Sequence, residues 1–199
     1  FGTTVITNGL IKIPDEFKGL IILSLDGLQE TNDAIRGQNV FERVIKNYSG
    51  DPRCTLNITL MEENYQELEK FVKLAVDHSF TYVTNNIFIS DSKDPNFIDN
   101  ELRAKIVAEM DRVQKIYPRH YFVNERILDW YIEPDHTDKC SWSDNAVHLD
   151  LDGNNTKCFT DTICSNCGCF AGAAASIMDM KYVIRHPIKA LRSAKDYAD

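Results

Sequence analysis

No uninterrupted apolar run in this sequence approaches the roughly twenty residues that a helix needs to cross a bilayer, so nothing in it reads as a membrane span. A basic excess is missing too. The chain carries 22 Lys and Arg against 30 Asp and Glu, a formal net charge of −8. Proteins that grip phosphate backbones favour the opposite balance, which argues against nucleic acid as the main partner. With 9 glycines and 6 prolines the chain is neither collagenous nor low in complexity. Glutamate is absent beyond Glu133, and no acid interrupts the stretch from Lys181 to Lys195, which holds Lys181, Arg185, Lys189, Arg192 and Lys195. That stretch reads as a solvated helix face broken by Pro187 ahead of any phosphate- or membrane-binding role.

What is present is an ordinary globular composition, 43% hydrophobic and 26% charged, over 199 residues, enough for one sizeable domain or one with a small appendage. The cysteines are unevenly spread. Cys54 stands alone, while Cys140, Cys158, Cys164, Cys167 and Cys169 fall inside thirty residues. A disulfide framework, a zinc site and an iron–sulfur site all compete to explain that cluster. Sequons at Asn47, Asn57 and Asn154 would fit secretion, yet such triplets are common by chance.

Along the chain, apolar and β-branched runs at 3–8 and 19–25 predict strands buried on both faces, the habit of a parallel sheet. Val40, Phe41, Val44 and Tyr48 share one face of a predicted helix that Ser49-Gly50-Asp51-Pro52 ends. A strand at 54–61 follows, then a helix from Tyr65 to about His78 that Asn64 is placed to cap, then a strand from Tyr82 to Ile89. Strands alternating with helices at this spacing favour a parallel α/β sheet or barrel. A long helix is expected from about Asp99 to Ile116, on the stripe Leu102, Ile106, Met110 and Val113. Beyond Pro134 the chain becomes turn-rich, with a hairpin expected from Val147 to Lys157 about Asp152-Gly153-Asn154. The strand at 3–8 begins the chain without a methionine before it, reads as part of something longer, and is expected to carry an unpaired edge.

The spacing Cys164-x-x-Cys167-x-Cys169 lets neighbouring sulfurs converge on one centre, and Gly168 relaxes the turn between them. Cys140 and Cys158 flank the hairpin and can meet at its open base. Four thiolates suit a structural zinc or a cubane cluster equally by spacing. His136 lies four residues before Cys140 and could join a mixed zinc site, although a lone exposed histidine is more often solvated. Cys54, inside a predicted strand, reads as a packed thiol.

Two motifs resemble a known family. Ser24-Leu25-Asp26-Gly27, continuing through Asn32-Asp33 to Arg36-Gly37 and a phenylalanine-led helix, is similar to the fourth strand and following segment of radical S-adenosylmethionine enzymes. Thr7-Asn8-Gly9 resembles the end of the preceding strand, and Asn57 to Asn64 the fifth strand with its following asparagine. Cys140, twelve residues, Gly153, four residues and Cys158 resemble the opening of that family's SPASM or twitch auxiliary-cluster region. The resemblance covers roughly residues 3–170. It departs from the family in two places: no C-x(3)-C-x(2)-C is present, and the run Cys164-x(2)-Cys167-x-Cys169 is shorter than a full SPASM arrangement, which implies one auxiliary cluster.

The resemblance implies an α/β fold made of the later strands of a partial (β/α)6 barrel at residues 1–118, a cysteine-rich auxiliary iron–sulfur region at 119–180 and a basic helical tail at 181–199. The complete enzyme would cleave S-adenosylmethionine reductively at a catalytic [4Fe-4S] cluster, giving a 5′-deoxyadenosyl radical for hydrogen abstraction. Ser24 and Asp26 would face ribose or substrate, Arg36 would pair the methionine carboxylate, and Asn57 and Asn64 would add polar contacts. Four among Cys140, Cys158, Cys164, Cys167 and Cys169 would hold an auxiliary [4Fe-4S] cluster. Implied partners are an unknown substrate, a peptide in many relatives, and an electron donor such as flavodoxin or ferredoxin, in the cytoplasm. The reading from another class is a non-enzymatic, zinc-stabilised α/β binding module. The 199-residue chain alone is expected to form no 5′-deoxyadenosine from S-adenosylmethionine, checked by chromatography of anaerobic incubations.

Overall fold

The structure, a computed structural model, describes residues 2–137, 139–142, 146–149, 152–156, 158 and 163–178. The basic stretch from Lys181 to Lys195 lies outside them. The chain forms two compact units, one of residues 1–86 and 108–123, the other of residues 87–107 and 124–199.

The first unit is built on a four-stranded parallel sheet whose spatial order follows the sequence: β1 (Thr4–Thr7), β2 (Leu20–Ser24), β3 (Cys54–Leu60) and β4 (Val83–Ile87). β1 registers Ile6 on Ile22, and β2 registers Ser24 on Asn57. The near-continuous apolar character of β2 and β3 is explained by cover on both faces: the consecutive residues Cys54, Thr55 and Leu56 are all fully buried. Two helices cross from β2 to β3, α1 (Gln29–Arg36) and α2 (Val40–Tyr48), and the second buries Val40, Phe41, Val44 and Tyr48. Between β3 and β4 a 3-10 turn, Tyr65–Glu67, leads into α3 (Leu68–Asp77), which buries Leu68, Phe71, Val72 and Ala75. The helical periods read from the sequence therefore identify the faces that pack.

The loop after β1 is tied down by side chains: the Tyr48 hydroxyl donates to the Ile11 carbonyl at 2.8 Å and accepts from the Ile13 amide at 3.0 Å. Beyond β4, Val83 and Tyr121 form a further parallel bridge, with the Val83 amide on the His120 carbonyl and the Phe122 amide on the Val83 carbonyl. β1 is the edge strand, as its sequence predicts, and Ile6 on it is 69% exposed.

Helix α4 (Asn100–Ile116) starts where the sequence places it, with the Asp99 carboxylate accepting from the Leu102 amide at 2.8 Å. Its residues 100–107 belong to the second unit. That unit adds α5 (Glu125–Ile132), capped by the Asn124 side chain on the Ile127 amide, and α6 (Phe170–Met178). The expected hairpin is present as β5 (His148–Leu149) paired antiparallel with β6 (Asn155–Thr156). A 3-10 turn spans Cys164–Asn166. Helices α1, α5 and α6 were not among the sequence expectations, since α1 and α5 are only eight residues long and α6 is nearly uniform in small apolar residues with no polar face to set a period.

Leu56 has no exposed surface at the centre of the sheet, whereas Ile11 is 82% exposed. Leu56→Ala is expected to cost about 2–5 kcal/mol and Ile11→Ala to stay within about 0.5 kcal/mol, read from urea unfolding midpoints.

Candidate functional site

In the first unit the sequence-predicted polar residues gather at the carboxyl ends of β2 and β3, where parallel sheets place ligands. Asp26 is the hub. Its Oδ1 accepts from the Thr59 amide at 2.8 Å, its Oδ2 lies 2.7 Å from the Arg36 Nε, and its own amide donates to the Asn32 Oδ1 at 2.9 Å. Asn64 is fully buried and spent on backbone: Oδ1 accepts from the Met61 amide, and Nδ2 donates to the carbonyls of Asp26 and Thr59. It makes no side-chain cap, contrary to the sequence reading, because its carboxamide already serves the backbone on both sides of the β3 end. Ser24 sits opposite Asn57 in register, and the Asn57 Oδ1 accepts from the Thr84 hydroxyl at 3.0 Å.

Around this hub, Glu67 accepts from the Leu28 amide and the Thr31 hydroxyl, fixing the loop after β2. Asp33 receives the amides of Asn39 and Phe41, both at 2.9 Å, at the start of α2. Those bonds, the Phe41 amide first, hold its carboxyl below the usual carboxylate range. Arg36 is about a quarter exposed and, beyond Asp26, makes no other ion pair or hydrogen bond among the described residues. Its terminal nitrogens remain open to an anion from solvent.

In the second unit the clustered cysteines are neighbours. Cys167 lies within electrostatic reach of Cys140, Cys158 and Cys164, and Cys169 within reach of Cys167 and Cys158. None is in a disulfide. The Cys169 amide donates to the Cys167 Sγ at 3.5 Å and the Gly172 amide to the Cys169 Sγ at 3.4 Å. A Cβ on Gly172 would stand 3.3 Å from the Cys140 Sγ and 3.9 Å from the Cys169 Sγ, so the missing side chain leaves room for sulfur. Within the same unit Gly168 packs against Ile87: its carbonyl accepts from the Ile87 amide, and a Cβ there would lie 2.7 Å from the Ile87 carbonyl carbon, which forbids any larger residue without moving backbone.

Burial pushes the Cys167 thiol up to about 11 and the Cys169 thiol up to about 12. Among the described residues no three His, Cys, Asp or Glu side chains stand as a group that would hold a metal ion. The thiols are thus gathered without forming a closed coordination sphere. The donor set itself, soft sulfurs with two backbone amides aimed at them, fits a thiolate-ligated group.

His136 corrects the sequence expectation of a solvated ring. It is 3% exposed, stacks on Trp130 with centroids 3.5 Å apart, and bonds the Trp130 carbonyl through Nε2 at 2.8 Å. Burial, the largest influence, lowers it to about 4, so it is neutral; a ring nitrogen facing a carbonyl carries the proton, which leaves a lone pair on the buried Nδ1 with no hydrogen-bond partner among the described residues. Cys54 is a buried strand thiol, as expected, pushed up to about 12 by burial.

Sequence reasoning missed Asn32, Glu67, Arg103 and Asn166. Asn32 lay inside the quoted motif. Arg103 falls on the same helical face as Ile106, Val107 and Met110, a cation inside an apolar stripe, and that was the available signal. No protein-family model matches the chain, and no curated protein matches it.

Asp33 gives the acid sensitivity of the first site. A carboxyl depressed in the fold contributes stability above its unfolded value and loses it as pH falls through the folded one. Urea midpoints taken between about pH 5 and pH 2 should fall less steeply in Asp33→Asn than in the wild type.

Proposed function

We propose that the chain is part of a radical S-adenosylmethionine oxidoreductase whose second unit holds one auxiliary [4Fe-4S] cluster. The observation that carries the reading is that Cys140, Cys158, Cys164 and Cys169, from three separate stretches of chain, lie within electrostatic reach of Cys167, with amide donors directed at two of the sulfurs. The parallel sheet adds support, because its strands run in sequence order without reversal and Val83 pairs onward with Tyr121, the arrangement expected for consecutive strands of a barrel.

When bound, S-adenosylmethionine and its catalytic cluster supply radical chemistry for removing hydrogen from an unreactive C–H bond. The residues of this chain would bind and orient. Arg36, steadied by Asp26, offers its terminal nitrogens to a carboxylate in charge-assisted bonds. Ser24, at the end of β2, and Asn57, opposite it within β3, present polar groups side by side, and Asn64 and Glu67 keep the loop after β2 in place. Four of Cys140, Cys158, Cys164, Cys167 and Cys169 would ligate the auxiliary cluster. The substrate class we assign is a peptide or natural-product precursor, with a small cytoplasmic electron-transfer protein as donor.

A zinc-stabilised binding module has one observation of its own, the neutral buried His136 beside the cysteine loop, whose Nδ1 lone pair lacks a partner among the described residues. Metal content separates the two. Anaerobic reconstitution with ferrous iron and sulfide should give a brown protein with about four irons per chain. Tight zinc with no iron uptake would overturn the iron–sulfur reading.

A further inference from the structure

We propose that Arg103 supplies the counter-charge to an anionic metal–thiolate centre held by the clustered cysteines, setting its metal affinity and reduction potential. The proposal rests on the reading of that cluster as a metal site. Arg103 is 1% exposed on α4. Its Nη1 donates to the carbonyls of Tyr131 at 3.3 Å and Cys167 at 3.2 Å, and its Nη2 to the carbonyl of Asn166 at 3.5 Å and the Asn166 Oδ1 at 2.6 Å. Every acceptor is neutral. Among the described residues no carboxylate pairs with it, and its Nε is buried without a partner.

Carbonyl oxygens solvate a guanidinium without cancelling its charge, and a buried charge lacking an opposite one is strongly unfavourable. Arg103 bonds the carbonyl of Cys167 and lies within electrostatic reach of its thiol, a member of the cysteine cluster that becomes anionic when it binds a metal. Four thiolates bring four negative charges, and a zinc ion or an oxidised cubane core cancels only half of them. The centre is therefore anionic where the protein is cationic. Such a charge favours metal binding and favours the added electron on reduction.

The competing role for Arg103 is a clamp on the 166–167 backbone by its fork of donors. Asn166→Asp distinguishes the two, because it puts a carboxylate of the same shape on the guanidinium and cancels its charge while keeping the bonds of the fork, losing only the Nδ2 bond to the Ser90 carbonyl. Arg103→Met is a second neutralised form, and Arg103→Lys keeps the charge without the fork. The full chain is reconstituted anaerobically with ferrous iron and sulfide for dye-mediated redox titration, and separately loaded with Zn2+ for chelator competition.

Either neutralised variant that folds, judged by circular dichroism, should lower the reduced-to-oxidised ratio at fixed potential at least tenfold, about 59 mV for one electron. It should also weaken Zn2+ at least tenfold. Arg103→Lys should stay close to wild type in both. Wild-type values in the neutralised forms, or a lysine variant as impaired as they are, would overturn the proposal. A wild type that takes zinc and no iron sinks the iron–sulfur reading alone, and the zinc affinities then decide the role of Arg103. A chain that binds neither metal overturns both.

Discussion

A guanidinium stripped of water needs oxygen acceptors on several sides at once, and Arg103 finds them on three segments of the second unit: the last turn of α5 at Tyr131, the 3-10 turn at Asn166, and the cysteine loop at Cys167. Those acceptors are backbone carbonyls and one carboxamide, so satisfying the cation fixes the path of the chain itself. Asn166 extends the effect by donating from Nδ2 to the Ser90 carbonyl. The loop carrying Cys164, Cys167 and Cys169 is therefore shaped by a charge on a helix more than sixty residues earlier, and Gly168 is the residue that lets it lie against Ile87.

The first unit solves a different problem with the same economy. Parallel strands end in a row of carbonyls and amides that the sheet no longer pairs. Asp26, Asn64 and Glu67 take up these groups, each bridging two segments, so the loops after β2 and β3 are held by side chains in place of further strand. What remains uncommitted is the exposed side of Arg36. A rigid network surrounding one available cation suits recognition of an anionic group more than proton transfer, since every carboxylate in it is already bonded.

Much of this was legible before any coordinates. Apolar runs gave the four strands and their parallel sense, helical periodicity gave α2, α3 and α4, and Asp152-Gly153-Asn154 gave the hairpin. Local pattern reaches that far because strand and helix faces are written in consecutive residues. The role of Asn64 was misread, as its sequence neighbourhood signals a helix cap while its actual partners sit on two strand ends. His136 and Arg103 were hidden for a related reason: polarity implies solvent until tertiary packing encloses the residue, and only a cation out of phase with its own helix hints otherwise.

Cys54 carries a practical consequence. Its thiol is sealed between strands, held protonated by burial, and far along the chain from the five cysteines that crowd the second unit. A thiol reagent reaches it only when the sheet opens, so its rate of labelling is a clock for the breathing of the first unit. The same molecule thus contains an internal reporter whose signal is independent of whatever the clustered sulfurs hold, and which separates loss of the fold from loss of the site in a single labelling trace.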